Sequence, residues 1–481
     1  MSKKFYITTS IPYTNAAPHI GFAFEIIQAD VVARHRRILG EKVYFLTGTD
    51  EHGLKTLRAA ETAGKGVLEF ADEVSGKFKD LAGVLNISND DFIRTTDEKR
   101  HLPAVYKLWE KFVAKDDIYK KKYKGFYCPG CEAFKTEKEL LDGKCTIHQK
   151  PIEEIEEENY FFKLSKYLPR IKEIIEKDEL KIIPQGKKNE ILGMIENGLD
   201  DVSFSRAREK YWSWPVPGDE SQVFYVWQDA LPNYISAIGY GTDEKKFQTY
   251  WPANVHAIGK DIVKFHALYW PAMLLSADLA LPESIFVHGF INVAGQKMSK
   301  SLGNVIDPFE LVKKYGVDPV RYYLLREIVP TEDGDFTYEK FEQRYNSDLA
   351  GGVGNLLSRT VTLANKDNFA SCSTSEKIKT EVQKTKKEVD DFLQEFKFNE
   401  SLKSIWELIS FCDKYINQEK PWEGKENAPQ VISDILFALE NIAEMLLPFL
   451  PETAEKMKLV LETKKSQALF PRLQAPNNLT K

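Results

Sequence analysis

Residues Phe5 to Thr9 are aromatic and β-branched, and "KVYFLTGTD" from Lys42 is a second short run, apolar almost without interruption. Such runs predict strands buried on both faces of a parallel sheet, because a strand with one solvated face alternates instead. Between them "IPYTNAAPHIG" gathers proline, asparagine and glycine as a loop does, and Phe22 to Leu39 carries helical spacing with charges on one side. The second strand ends in the polar cluster Thr49-Asp50-Glu51-His52-Gly53. Two strands joined through a helix, with polar residues at the strands' carboxyl ends, are how an open α/β sheet builds a ligand site.

From about residue 115 to about 225 this order gives way to short pieces rich in lysine and glutamate around several cysteines, the pattern of an insertion. Strands and helices then alternate again in "SQVFYVWQDALPNYISAIGY", "NVHAIGKDIVKFHALYWPAMLLSA" and "SIFVHGFINVAG", which predict the second half of a split sheet. After "DPVRYYLLREIVP" the strand signals fade. From about 340 onward the chain reads as helices, with Pro421 and Pro448 as punctuation.

A chain of 481 residues, 43% hydrophobic and 29% charged, fits a globular protein of two or three domains. No apolar run reaches the roughly 18 residues that span a bilayer, and "MSKKFYITTSIPYTN" lacks the apolar stretch of a secretion signal. A cytoplasmic protein with no membrane partner is expected. The net charge of -6 argues against binding nucleic acid by indiscriminate attraction, while a local basic surface can still hold a polyanion.

Five cysteines, three of them crowded into one region, do not make a disulfide framework. Cys128 and Cys131 are separated by two residues, and after thirteen more residues Cys145 and His148 repeat that spacing. Two pairs of soft ligands on two tight turns can close a tetrahedral zinc site, with Pro129-Gly130 bending the first knuckle and Gly143 the second. With all four positions filled by protein, such a zinc is structural. A different chemistry is expected of "VAGQKMSKSLGN", where Lys297 and Lys300 stand in a turn-rich stretch with Gly295 and Gly303 as hinges, suited to clamping a phosphate. "PHIG" places His19 at a helix N-terminus, which favours an anion, and Gly21 allows close approach to the backbone.

The pairing of "PHIG" after the first strand with "KMSKS" after a late one resembles the class I aminoacyl-tRNA synthetases. With "IPYTNAAPHIG", "FLTGTDEHG", the cysteine knuckle, "VWQDALPNY", "GKDIVKFHALYWPAML", "INVAGQKMSKSLGN", "GNLLSR" and "KPW", the chain from about residue 4 to the mid-420s resembles the methionyl-tRNA synthetase family. The resemblance implies an α/β fold: a Rossmann-type parallel sheet split by a zinc-knuckle insertion, followed by an all-α anticodon-binding bundle. The implied divisions are 1–114 and 226–325 for the catalytic halves, 115–225 for the insertion, 326–348 for a stem-contact linker and 349–481 for the bundle.

By the same resemblance methionine would be held by Ile11, Tyr13, Asp50, Trp227, Leu231, Tyr234, Ile262 and His266. Aromatic faces suit an unbranched thioether, Asp50 suits the α-ammonium, and Tyr234 and His266 would satisfy the sulfur. ATP with Mg²⁺ would be held by His19, Gly21, Glu25, Lys297, Ser299 and Lys300 around the phosphates and by Gly259 and Asp261 at the ribose. His19, Lys297 and Lys300 would be the catalytic groups, stabilising charge in the transition state. Asn355, Arg359 and Trp422 would read the anticodon of tRNA(Met).

Two departures stand out. Phe22 occupies the place of the family's second histidine, so one donor to phosphate is expected to be missing, and the chain stops at Lys481 without an added tRNA-binding domain, for which a monomer is expected. Two other readings fit part of this: a class I enzyme for a branched aliphatic amino acid, and a non-catalytic tRNA- or nucleotide-binding protein of synthetase descent, for which Phe22 argues.

Overall fold

A computed structural model describes residues 3–128, 133–135, 140–146, 149, 151–298, 303–366, 372–465 and 467–473. Two compact units are formed, one from Met1–Pro18, Arg36–Gly83 and Ser88–His288, the other from His19–His35, Val84–Ile87 and Gly289–Lys481.

The first unit is built on six strands, β1 (Lys4–Thr9), β2 (Lys42–Thr49), β3 (Asp91–Arg94), β4 (Lys181–Ile183), β5 (Val255–Gly259) and β6 (Ser284–His288), in the spatial order β3-β2-β1-β5-β6-β4. Every pairing is parallel. The apolar runs at Phe5, Lys42, Val255 and Ser284 supply β1, β2, β5 and β6: all of β5 and all of β2 but its first residue are buried, as burial on both faces requires. The strand in "SQVFYVW", expected in the second half of this sheet, lies instead in a small antiparallel sheet. The order reverses direction between β1 and β5, so the loops leaving their carboxyl ends part and leave a crevice there. Beneath it Tyr6, Leu46, Ile258 and Val287 pack with Ile235, Trp270 and Met273 into one core.

β4 comes from inside the 115–225 stretch and adds to the parallel sheet beside β6, Ile182 opposite Ile285. The rest of that stretch forms two helices, Leu164–Glu176 and Gln185–Glu196, and small antiparallel sheets. Ile118–Cys128 runs against Glu153–Phe162 and Ala133–Lys135, and Asp219–Phe224 against Ser205–Ala207 and Pro215–Val216.

In the second unit a short hairpin, Ile291–Val293 and Gln296–Lys297, pairs through its first strand with Gly334–Phe336. Its two-residue turn has both residues in the left-handed region, Ala294 at φ 50 and Gly295 at φ 74, the type I′ geometry that matches strand twist. Most of helix α1 (Ile20–Ile38) belongs to this unit, and its buried Asp30 receives the guanidinium of Arg321 from α2 (Val317–Arg326) at 2.8 Å. Arg321 also donates to the carbonyls of Leu85, Pro448 and Phe449, so four of the five N–H groups of its fork have acceptors. The bundle comprises α3 (Asn355–Lys366), α4 (Glu376–Gln394), α5 (Phe398–Glu419), α6 (Ala428–Leu446) and α7 (Pro451–Thr463). Among the described residues no helix is long and apolar enough to cross a membrane.

Candidate active site

The loops leaving β1 and β2 are tied to each other. The Asp50 N–H donates to the Pro12 carbonyl at 2.9 Å and the Thr14 N–H to the Asp50 carbonyl at 3.0 Å, which sets Tyr13 beside Asp50. Lys55 lies over the Tyr13 ring at 4.2 Å. Ile11, Tyr13, Trp227, Ile262 and Phe265 are half-buried against the core that contains Leu231 and Tyr234, so the eight expected methionine residues all belong to one unit.

Trp227, on the short helix Val226–Ala230, stacks on Phe265 with centroids 3.7 Å apart and planes at 6°. Phe265 opens a π-helical turn, Phe265–Tyr269, and the wider turn lets the next residue, His266, meet the edge of the Trp227 ring at 6.1 Å. The His266 Nδ1 lies 3.0 Å from the Ile262 carbonyl, an acceptor only, so Nδ1 carries the proton and Nε2 accepts from the Tyr234 hydroxyl at 2.7 Å. The hydroxyl proton is thus directed at His266, and the expectation that both groups turn toward a sulfur needs this amendment: a thioether takes a hydrogen bond from Tyr234 only by diverting it. Behind Tyr234 the ring of His256 lies at 4.2 Å. Burial, with His266 nearby, pushes the His256 imidazole well below its usual value, so it stays neutral.

In the second unit, His19 is exposed just ahead of α1 and its Nδ1 accepts the Gly21 N–H at 3.0 Å. The neutral ring therefore carries its proton on Nε2, a donor suited to a phosphate oxygen. A β-carbon at position 21 would stand 2.8 Å from the His19 Cε1 and 3.7 Å from the Met298 Cε. Glycine at 21 thus makes room for the imidazole as well as for a ligand. The same distances place Met298 beside Gly21, and the Ile20 N–H donates to the Ile306 carbonyl at 3.2 Å. Lys297 is exposed at the end of the hairpin, while Ser299 and Lys300 lie outside the described residues. Glu25 is buried within α1, and so is Phe22.

Gly259 ends β5 beside His288, which ends β6. A β-carbon on Gly259 would stand 3.0 Å from an Asp261 carboxylate oxygen, so the carboxylate lies close against bare backbone at the end of β5. Cys128 and Cys145 are buried, each at the end of a strand, and Gly143 has φ 70 in the turn before Cys145. Cys131 and His148 lie outside the described residues, among which no three histidine, cysteine, aspartate or glutamate side chains are arranged to hold a metal ion. In the bundle Asn355 is exposed at the start of α3, after a second π-helical stretch, Tyr345–Gly354. One turn on, Arg359 places its guanidinium 4.4 Å from the centroid of the Trp422 ring and donates to Asn417 at 2.9 Å.

A family profile described as "tRNA synthetases class I (M)" matches residues 5–150 and 135–361, and one described as "Anticodon-binding domain of tRNA ligase" matches 376–479. The methionine–tRNA ligase of Thermotoga maritima is 45% identical over 470 residues, 94% of this chain and 74% of the relative. This chain belongs to the methionine–tRNA ligases. That of Brucella suis is 41% identical over 95% of this chain and 92% of its own. The Mycobacterium tuberculosis methionyl-tRNA synthetase in complex with methionyl-adenylate superimposes with a TM-score of 0.92 at 36% identity, covering 98% of this chain and all of that one.

Sequence reasoning about this ligase does not single out Phe265, His256, Asp229 or His101. Phe265 directly precedes His266 and His256 stands three residues before Gly259 on β5, and both are legible only as filling of the core. Asp229 and His101 are 128 residues apart and meet in the folded core, where no local pattern reveals them.

Proposed function

We infer that the protein joins L-methionine to tRNA(Met) in two steps. The methionine carboxylate attacks the α-phosphorus of ATP; the new O–P bond forms as the bond to the β-phosphate oxygen breaks, and pyrophosphate leaves. The 2′-hydroxyl of the terminal ribose then takes the methionyl group, AMP departs, and the hydroxyl proton passes to solvent. The observation that carries this reading is the match, over nearly the whole length, to a structure holding methionyl-adenylate.

In this assignment Asp50 binds the α-ammonium, and Tyr13, Trp227, Leu231, Tyr234, Ile262, His266 and Ile11 enclose the side chain. The His19 Nε2–H, the N-terminus of α1 and the ammonium groups of Lys297 and Lys300 meet the phosphates, with Gly259 and Asp261 at the ribose. No protein nucleophile is required: alignment of reactants and positive charge at the developing anion supply the rate, with Mg²⁺ accompanying ATP. Two buried thiols at strand ends fit a zinc ligand pair, and Cys128, Cys131, Cys145 and His148 would hold a structural zinc that supplies no chemistry to the reaction. Asn355, Arg359 and Trp422 offer an amide, a guanidinium and an indole to the anticodon bases.

Methionine-dependent exchange of pyrophosphate into ATP tests this reading. Exchange with methionine is expected; exchange with a branched aliphatic amino acid instead, or none with any amino acid, overturns it.

A further inference from the structure

Asp229 is fully buried two residues after Trp227, and each of its carboxylate oxygens meets a different histidine: His52 through Nδ1 at 2.7 Å and His101 through Nε2 at 3.2 Å. The His101 Nε2 also lies 2.9 Å from the Asp229 carbonyl, an acceptor only, so that nitrogen carries a proton. Its Nδ1 is 3.0 Å from the Ser236 hydroxyl. A carboxylate removed from water survives as an anion only when paired and hydrogen-bonded. Burial alone would push the Asp229 carboxyl up, yet the charge of His52 and the hydrogen bonds of both imidazoles hold it below the usual aspartate range.

The surroundings keep the pair dry. The edges of Trp212 and Trp214 meet the His52 ring at 4.7 and 5.1 Å, and the Gly53 N–H donates to the Trp212 carbonyl at 2.9 Å. His52 itself stands two residues beyond Asp50, whose backbone is fixed to the loop of Tyr13. The pair therefore joins the segment carrying the ammonium-binding carboxylate to the helix carrying the thioether-binding indole, two parts of the pocket 177 residues apart in the chain.

We propose that His52, Asp229 and His101 are positioning residues that set the separation of Asp50 from Trp227 and so govern methionine binding without touching the amino acid. The proposal rests on the assignment of Asp50 and Trp227 to methionine. A purely structural network would alter stability alone; a positioning network alters the affinity for one substrate and spares the other.

The test is pyrophosphate exchange by the full chain, saturated separately in methionine and in ATP. His52→Leu is expected to raise the methionine KM about tenfold or more, as small misplacements of binding groups do, with the ATP KM within twofold. His52→Asn, whose amide nitrogen occupies the place of Nδ1, recovers most of that loss. His101→Asn attacks the same carboxylate from its other side and moves the methionine KM in the same direction. Partial unfolding lowers the apparent kcat and leaves KM untouched, so a poorly folding variant still reports. If the two KM values move together, or neither moves, the proposal is overturned. If the unmutated protein shows no methionine-dependent exchange, or Asp50→Ala leaves its methionine KM unchanged, the functional reading beneath it fails instead.

Discussion

Trp422 gives the sharpest separation between the two steps of the reaction. It sits in the single turn Pro421–Glu423 and is 45% exposed, an unusual placement for an indole. The Arg359 guanidinium over its ring holds both groups in one orientation, an exposed cation–π contact of about 0.5–1 kcal/mol. A base stacked on an aromatic side chain is worth about 1–3 kcal/mol on truncation to alanine. Trp422→Ala should therefore lower kcat/KM for tRNA aminoacylation by about 5- to 150-fold, since each 1.4 kcal/mol is about tenfold. Pyrophosphate exchange without tRNA involves no anticodon and should stay within about twofold. The loss should also shrink with a tRNA whose anticodon is altered, because the stacked base is then already wrong. Arg359→Lys keeps the charge and loses the planar fork, and should show an intermediate loss in aminoacylation. Equal losses in both assays, or full aminoacylation by Trp422→Ala, would refute the reasoning.

Arg321→Ala removes a buried guanidinium but leaves Arg34 donating to Asp30 at 2.8 Å, so the cost falls near the lower end of the 3–5 kcal/mol expected for breaking a buried pair, about 3 kcal/mol. Calorimetry should place the melting transition about 6–12 °C lower. Phe22→His puts an imidazole where a phenyl ring is buried, and should lower the melting temperature without raising the exchange rate; a faster enzyme would show that a donor is missing there. Burial would raise the Asp117 carboxyl, but hydrogen bonds from Lys166, Tyr167 and Ser276 outweigh it and hold it below the ordinary value. Its contribution is present above about pH 4 and lost as the pH falls through the folded value, so Asp117→Asn should flatten the acid side of the melting profile. Metal analysis should find one zinc per chain, and its removal by a chelator should lower the melting temperature while methionine-dependent exchange persists in the protein that stays folded.

Four of the six parallel strands and the helices of the bundle were legible because each announces itself locally, by an apolar run or by a 3.6-residue period; Asp91–Arg94, with one buried residue in four, makes no such run. The insertion was not legible either. Ile118–Cys128 and Glu153–Phe162 read as stray charge runs, and only their register, Lys122 opposite Glu158 and Lys120 opposite Tyr160, turns the runs into a paired sheet. Lys181–Ile183 is three residues long, too short for any period to identify as an edge of the main sheet. The methionine-site residues came from the family resemblance, which points to Tyr234 and His266 but says nothing of the hydrogen bond between them. Phe22 shows the same gap: its letters mark a departure from a motif, while its burial gives it a packing role.

The π-helical turn at Phe265–Tyr269 has a consequence for how this pocket can change. Such a turn holds one residue more than a regular helix needs, so deleting a residue there would let the helix close into an unbroken α ladder, with better hydrogen bonding than before. The deletion would also rotate the two flanking segments by about 100° relative to each other, parting His266 from Tyr234 or Phe265 from Trp227. The shorter helix would be the more regular one and would lose the placing of Trp227, Phe265, Tyr234 and His266, so the wider turn exchanges regular hydrogen bonding for the arrangement of these four side chains.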